Sequence, residues 1–177
     1  MEKDFIIIAI TLPYFFTGEA EKINQLLETG EADFVHLRKP GSMIDDMEKL
    51  ISQINPRFYP RLKLHDHFSL LDKYQLGGIH LNNRNPQPIP AREISKSIHS
   101  YEELDGINQF DYFFISPVFD SISKKGYKAS FELEELSHKI KGKNAIALGG
   151  VTPDKFPLLK SLGFHGAALL GHFFQNT

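Results

Sequence analysis

Hydroxyl and amine groups follow an apolar segment in the second half of the chain. The residues FFISPVF (113–119) have the composition of a buried strand, and Ser121, Ser123 and Lys124 follow shortly after them. Two hydroxyl donors beside an ammonium group can bind an anion such as a phosphate. The alternative interpretation is a solvated turn between a strand and a helix.

Glycines end two later apolar segments. Gly149 and Gly150 follow NAIAL (144–148), and Gly171 follows GAALL (166–170). Because glycine has no side chain, backbone amides at such positions can approach a phosphate closely. A Gly-Gly pair also occurs in ordinary tight turns, which is the alternative here. Together with the serines and Lys124, these glycines predict a phosphate site.

The other apolar segments also end in polar residues. In chain order these residues are His36 and Arg38, His65 and Asp66, His80 and Asn83, and Ser97 and His99. There is one carboxylate among many groups that can donate to or attract an anion, which again indicates a phosphorylated ligand.

Eight short apolar segments recur along the chain, most of them bounded by Gly, Pro, Asn or Asp, as is typical of buried parallel strands. Helical patterns lie between several of them, in residues 18–30, 42–55, 130–142 and 152–163, the last opening with a Thr152 cap and a proline. We predict a small (β/α)₈ barrel with its active site at the carboxyl ends of the strands. An open doubly wound sheet is the alternative.

The predicted barrel is short for its class. Its 177 residues compare with about 250 in a typical (β/α)₈ barrel. Pro86, Pro88 and Pro90 leave no room for the usual fourth helix, and HFFQNT (172–177) allows only a very short last helix. We predict one domain, residues 1–177.

Composition excludes several classes of function. With no cysteine, the chain cannot form disulfides, zinc-thiolate sites or thiol nucleophiles. A net charge of −2 and scattered basic residues argue against nucleic acid as a partner. The apolar part of MEKDFIIIAITLPYF is too short to span a membrane, and acidic residues precede it, unlike a secretion signal. We expect a cytoplasmic protein without membrane partners, and leave a homo-oligomer open.

Seven motifs together resemble the thiamine phosphate synthase family, which also contains the thiazole tautomerases. In order they are VHLRKP, LHDHFSLL, GGIHLNN, SIHSYEEL, DYFFISPVFDSISKK, IALGGVTPD and GFHGAALLG. The resemblance implies a small barrel that joins a pyrimidine diphosphate to a thiazole phosphate. It also implies release of pyrophosphate, formation of thiamine phosphate, and Mg²⁺ as cofactor.

The resemblance also implies roles for individual residues. Arg38 and Lys124 would hold the diphosphate, Ser97 would lie near the pyrimidine, and His99 matches an acid/base histidine. Asp66 matches a Mg²⁺ aspartate. The thiazole phosphate would be bound by Ser121, Ser123, Gly149, Gly150, Leu170 and Gly171, and we add His36, His65 and Asn83 as candidate substrate-binding residues.

Several positions depart from the family pattern. Pro40 stands where a second diphosphate lysine is expected, and the adjacent Lys39 should point to the opposite face of its strand. His36 and His65 replace a glutamine and an asparagine, Asn85 replaces a second Mg²⁺ aspartate, and Gly171 replaces a serine. Mg²⁺ should therefore bind weakly without substrate.

Three alternatives follow from these departures. A thiazole tautomerase would keep the thiazole phosphate site and need no metal. A non-catalytic homologue would only bind thiazole phosphate. Finally, His36, His65, Asp66 and His80 could together bind zinc or another transition metal.

Overall fold

The computed structural model describes residues 5–120 and 129–175. Eight parallel strands form a closed barrel in sequence order. They are β1 (Ile6–Ile10), β2 (Phe34–Leu37), β3 (Leu62–Leu64), β4 (Gly78–Leu81), β5 (Ile94–Ile98), β6 (Tyr112–Ile115), β7 (Ala145–Ala147) and β8 (Gly166–Leu170). The predicted barrel is confirmed, and the alternative of an open sheet is wrong.

In the described parts of the chain, five α-helices lie between the strands. They are α1 (Glu19–Thr29), α2 (Ile44–Gln53), α3 (Leu70–Tyr74), α4 (Leu133–Ile140) and α5 (Phe156–Ser161). The four predicted helical segments are confirmed, whereas the short α3 was not predicted. Short 3₁₀ turns cover Pro56–Arg61, Glu102–Leu104, Ile107–Gln109, Pro153–Lys155 and His172–Phe174.

The helices bury the faces that their apolar spacing predicts. In α1, Ile23, Leu26 and Leu27 are buried, and the helix stops where Gly30 adopts a left-handed conformation with φ 75°. One detail of the prediction is wrong: Thr152 precedes the turn that leads into α5, but its side chain makes no capping hydrogen bond.

Residues 82–93 contain no helix, as their prolines predicted. The chain instead makes a tight turn after β4, with reciprocal backbone hydrogen bonds between Asn82 and Asn85 at 3.0 and 3.2 Å. After β8, the helix within the described residues is the 3₁₀ turn His172–Phe174. These two reductions account for part of the small size of the barrel.

The chain separates into two compact units by its internal contacts. One comprises Met1–Ile7 and Ser95–Leu169, and the other comprises Ile8–Ile94 and Leu170–Thr177. In the second unit, β2 and β3 pair with Val35 opposite Leu62. Among the described residues, every helix is too short or too polar to cross a bilayer. A single domain over residues 1–177 stays a prediction.

Candidate active site

A charged cluster forms where β2, β3 and β4 end. Asp66 follows β3, and the turn after β4 brings Arg84 to it. The guanidinium donates from Nε to Asp66 Oδ1 at 3.0 Å and from Nη2 to Oδ2 at 3.1 Å. This is a two-point ion pair, the geometry in which arginine binds carboxylates most strongly. Both oxygens of the predicted Mg²⁺ ligand therefore already have a cationic partner.

Asn85 completes the environment of Asp66. Its side-chain amide donates to Asp66 Oδ1 at 3.1 Å and to the carbonyl of His65 at 3.0 Å. The predicted metal-ligand pair is therefore brought together, but as a hydrogen-bond donor and an acceptor. An aspartate at position 85 would instead place two carboxylates side by side, an arrangement that attracts a cation.

Arg38 is the second cation of this cluster. Its half-buried guanidinium makes no hydrogen bond or salt bridge to any residue that the structure describes. Burial lowers the pKa of Arg38, the charge of Arg84 lowers it further, and Asp66 partly offsets both. Arginine remains protonated despite such shifts. Two guanidinium groups against one carboxylate leave a net positive charge, which suits an anionic ligand.

The turn after β4 includes two residues that sequence reasoning missed. Asn82 donates to the carbonyls of His65 at 2.7 Å and His80 at 3.2 Å, and so ties the turn to the ends of β3 and β4. Arg84 is the other. The predicted Asn83 is exposed at the tip of the turn. The motif NNRN directly after an apolar segment was the available signal, but it did not identify which side chains turn inward.

Three histidines, His36 of β2, His65 after β3 and His80 of β4, form what we call the histidine cluster. His36 Nδ1 lies 2.8 Å from His65 Nε2. The rings of His65 and His80 stack with centroids 4.3 Å apart, and those of His36 and His80 meet edge to face at 5.3 Å. All three side chains are buried. Sequence reasoning had predicted this convergence at neighbouring strand ends.

Burial keeps the histidine cluster neutral. Desolvation lowers the pKa of His80 to about 3. The pKa values of His36 and His65 are also well below the usual range, first through burial, then through the neighbouring His80 ring, and then through nearby side chains that include Lys63, Arg38 and Arg84. These imidazoles therefore cannot supply the missing diphosphate cation at neutral pH.

Lys39 does not replace that cation either. It is fully buried, and its ammonium donates to Glu19 Oε1 of α1 at 2.5 Å. It also donates to the carbonyls of Leu12 at 2.9 Å and Tyr14 at 2.6 Å. The prediction that Lys39 is turned away from the substrate is consistent with these contacts, since all of its donors are used by the protein.

His99 lies directly after β5, next to the loop that follows β6. Its Nδ1 is 2.8 Å from the carbonyl oxygen of Ser116. A carbonyl only accepts hydrogen bonds, so Nδ1 carries a hydrogen, and in the neutral imidazole the other nitrogen, Nε2, has the lone pair. The ring is exposed, and Nε2 is the nitrogen that does not contact this carbonyl. Ser97 lies two residues earlier, within β5.

Gly149 and Gly150 follow β7 in left-handed conformations, with φ 90° and 62°. A Cβ on Gly149 would lie 2.7 Å from Pro117 Cα, and one on Gly150 would lie 2.3 Å from the carbonyl oxygen of Asp120. Glycine is therefore required by the close approach of the loop after β6. Within the described part of the chain, neither backbone N–H has a hydrogen-bond acceptor, which leaves both able to meet an anion.

Replacing Gly150 with alanine should lower the free energy of unfolding by at least about 1 kcal/mol more than the same change at Gly142. Both glycines have a positive φ, but nothing lies within 4 Å of a Cβ on Gly142. The Gly142 variant thus measures backbone strain alone, about 1–2 kcal/mol. Urea unfolding compares the two, and equal losses would contradict the proposed close contact.

The remaining predicted residues are less informative. Leu170 is exposed, and the Gly171 N–H donates to the carbonyl of Ile10 at 3.3 Å. Ser121, Ser123 and Lys124 lie outside the described residues, so their predicted contacts with phosphate stay predictions.

Comparison with known proteins places the chain in a family. The profile described as thiamine monophosphate synthase matches residues 7–173. A crystal structure of thiamine phosphate pyrophosphorylase from Bacteroides thetaiotaomicron is 35% identical, covering 98% of this chain and 86% of that one, with a TM-score of 0.85. The thiamine-phosphate synthase of Bacteroides fragilis is 24% identical over 91% of each chain. A Pyrococcus furiosus thiamine phosphate pyrophosphorylase, 20% identical, has the same fold with a TM-score of 0.74. The chain therefore belongs to the thiamine monophosphate synthase family.

Proposed function

We propose that this protein is a thiamine phosphate synthase. It condenses a hydroxymethylpyrimidine diphosphate with a thiazole phosphate. The bond between the pyrimidine methylene carbon and the diphosphate oxygen breaks, and pyrophosphate leaves with the bonding electrons. The thiazole nitrogen then donates its lone pair to the methylene carbon, giving thiamine phosphate. Little proton transfer is needed, in keeping with a site that has few carboxylates.

The observation that carries the proposal is the uncommitted Arg38 guanidinium beside the Asp66–Arg84 ion pair. Negative charge develops on the leaving diphosphate oxygen, and fixed cations stabilise it best in a partly buried site. Arg38 would bind the diphosphate directly. Arg84, 41% exposed at its side chain, would exchange one or both of its bonds to Asp66 for phosphate oxygens, and so replace the lysine that Pro40 displaces. Lys124 would add a third cation.

Mg²⁺ fits these residues only in part. Asp66 and the amide oxygen of Asn85 are suitable hard ligands, but Arg84 already neutralises the carboxylate. When bound, Mg²⁺ would neutralise charge on the leaving pyrophosphate. Diphosphate that draws Arg84 away would expose Asp66, so this chain should acquire its metal together with its substrate.

The thiazole phosphate would be held by Ser121, Ser123, Gly149, Gly150, Leu170 and Gly171. Support comes from the unused N–H groups of Gly149 and Gly150. Ser97 would contact the pyrimidine, and His99 could accept a hydrogen bond or proton through Nε2. His36, His65 and Asn83 are further candidates for substrate contact.

A turnover assay tests the proposal. The purified chain, given both synthase substrates, should form thiamine phosphate and pyrophosphate in equal amounts and only with Mg²⁺. A parallel reaction should contain the thiazole carboxylate phosphate that tautomerases isomerise. Metal-independent isomerisation, with no thiamine phosphate at any Mg²⁺ concentration, would overturn the proposal in favour of a tautomerase. Binding of thiazole phosphate without any turnover would indicate the non-catalytic homologue.

Replacing Asn85 with aspartate should lower the Mg²⁺ concentration for half-maximal synthase activity by about tenfold. This is the change in affinity expected from one additional charge-assisted contact. The new carboxylate would lie beside Asp66, where the asparagine amide now donates at 3.1 Å. Asn108→Asp adds the same charge on an exposed side chain outside the candidate site and should change the Mg²⁺ requirement little. Equal effects of the two variants would show that the second metal ligand lies elsewhere.

A further inference from the structure

The histidine cluster is unusual for the interior of a barrel. His36, His65 and His80 are 0%, 5% and 1% exposed. Branched apolar side chains normally fill this space in parallel barrels. Three polar rings occupy it here, although the condensation proposed above needs cations and these rings are neutral. The cluster is therefore suited to a different kind of ligand from the diphosphate.

We propose that the histidine cluster binds a transition-metal ion, with Zn²⁺ as the preferred ion, through one nitrogen of each ring. Neutral imidazole is a good ligand for Zn²⁺, and three histidines with a fourth open position form a recurring type of zinc site in enzymes. The proposed site is distinct from the Mg²⁺ position at Asp66, because Mg²⁺ prefers oxygen ligands.

The spacing of the nitrogen atoms fits such an ion. Zinc–nitrogen distances of about 2.0–2.1 Å at tetrahedral angles place ligand nitrogens about 3.3 Å apart. One nitrogen from each of the three rings lies within 4.8 Å of the others. His36 Nδ1 and His65 Nε2 are 2.8 Å apart, slightly closer than the ideal. Small rotations of the rings, chiefly to separate the stacked pair of His65 and His80, would complete the coordination.

Metal binding requires a shift of one hydrogen. The short contact between His36 and His65 holds a hydrogen on one of its two nitrogens. That hydrogen moves to the other nitrogen of the same ring, so that both facing atoms present lone pairs. No proton leaves the cluster.

Neighbouring charges determine the fourth ligand. The positive charge of Lys63 influences His36. Lys63 is paired with Glu93 Oε2 at 2.5 Å, so this charge is compensated. The positive charges of Arg38 and Arg84 influence His65, and the single negative charge of Asp66 offsets them only in part. Positive surroundings disfavour a bare dication but favour one that carries an anion. Hydroxide or inorganic phosphate is therefore the expected fourth ligand, and phosphate should strengthen Zn²⁺ binding.

The test is metal binding by the full chain after treatment with a chelator. Calorimetric titration should give one Zn²⁺ per chain, and Co²⁺ should produce the intense visible absorption of a four-coordinate ion. His36→Gln and His65→Asn keep polar side chains of similar size. Each should weaken Zn²⁺ binding by at least about 100-fold. Loss of a residue that only orients a metal ligand lowers metal affinity by about 10- to 100-fold, so a larger loss indicates a direct ligand. Millimolar Mg²⁺ should not displace the ion.

Matched controls are available on the surface. His138 and His172 are exposed, and their replacement by glutamine should leave Zn²⁺ affinity unchanged. Lack of stoichiometric Zn²⁺ binding by the wild-type chain would overturn the proposal, as would undiminished binding by both cluster variants. If the cluster variants do not fold, measurements on the wild-type chain still test the proposed site. A metal-bound state requires the four-coordinate Co²⁺ spectrum and a midpoint temperature that rises with Zn²⁺ concentration, and absence of either contradicts the proposed site.

Discussion

Replacing Lys39 with methionine is expected to lower the free energy of unfolding by about 3–5 kcal/mol, because it leaves the buried Glu19 carboxylate without its cation. Lys39 and Glu19 are 0% and 1% exposed. Glu19 Oε2 is buried and has no hydrogen-bond partner in the described parts of the chain. The loss of the ammonium would also leave the carbonyls of Leu12 and Tyr14 without this donor.

The pKa shifts indicate how the pair should respond to a double replacement. Burial raises the pKa of Glu19 and lowers that of Lys39, and mutual attraction only partly reverses each shift. Desolvation therefore outweighs pairing. An apolar pair should cost much less than one broken pair, so Lys39→Met with Glu19→Leu should recover at least half of the lost stability.

Urea unfolding of the four chains in this cycle measures the coupling. Lys73→Met is the matched control, since Lys73 makes the same type of pair with Glu48 on the surface and exposed pairs contribute little. An unfolding midpoint of Lys39→Met equal to that of wild type would contradict the expected penalty. So would a double variant less stable than Lys39→Met.

Replacing Arg38 with alanine should reduce kcat/KM for the pyrimidine diphosphate by about 10² to 10⁴. A guanidinium can make two parallel bonds to a phosphate, each charge-assisted bond contributes about 1.5–3 kcal/mol, and every 1.4 kcal/mol is tenfold. Arg38→Lys should recover only part of the loss, because an ammonium cannot form the planar fork. Stability should change little, since the guanidinium has no partner among the described residues.

Steady-state kinetics with varied diphosphate, together with calorimetric binding of pyrophosphate, would measure this effect. Arg57→Ala removes an arginine that pairs with Glu28 on the surface and should leave kcat/KM within about threefold of wild type. An Arg38→Ala enzyme as active as the Arg57 control would exclude Arg38 from diphosphate binding. Weakened pyrophosphate binding with unchanged turnover would instead show that the arginine contributes no more in the transition state than in the ground state.

The barrel itself could be predicted because its determinants are local. Each strand is a short apolar segment with turn residues at its ends, and strand and helix alternate in an order that leaves few topologies. The same locality allowed the absence of a fourth helix to be read from Pro86, Pro88 and Pro90. It also identified His36, His65, His80 and Asp66 as residues at the ends of neighbouring strands, because a parallel sheet places those ends together.

The partners of the charged side chains were decided only by the tertiary structure. Asp66 was predicted to bind Mg²⁺, yet its two oxygens accept from Arg84, 18 residues away in the sequence. Lys39 and Arg38 are adjacent, yet Lys39 is buried against Glu19, while the Arg38 guanidinium has no hydrogen-bond or ion-pair partner among the described residues. Long side chains have several rotamers of similar energy, and only the surrounding charges, carbonyls and space select one. That selection depends on residues brought together by folding, so the sequence determined which groups reach the candidate site, and the tertiary structure decided which of them are left to bind a ligand.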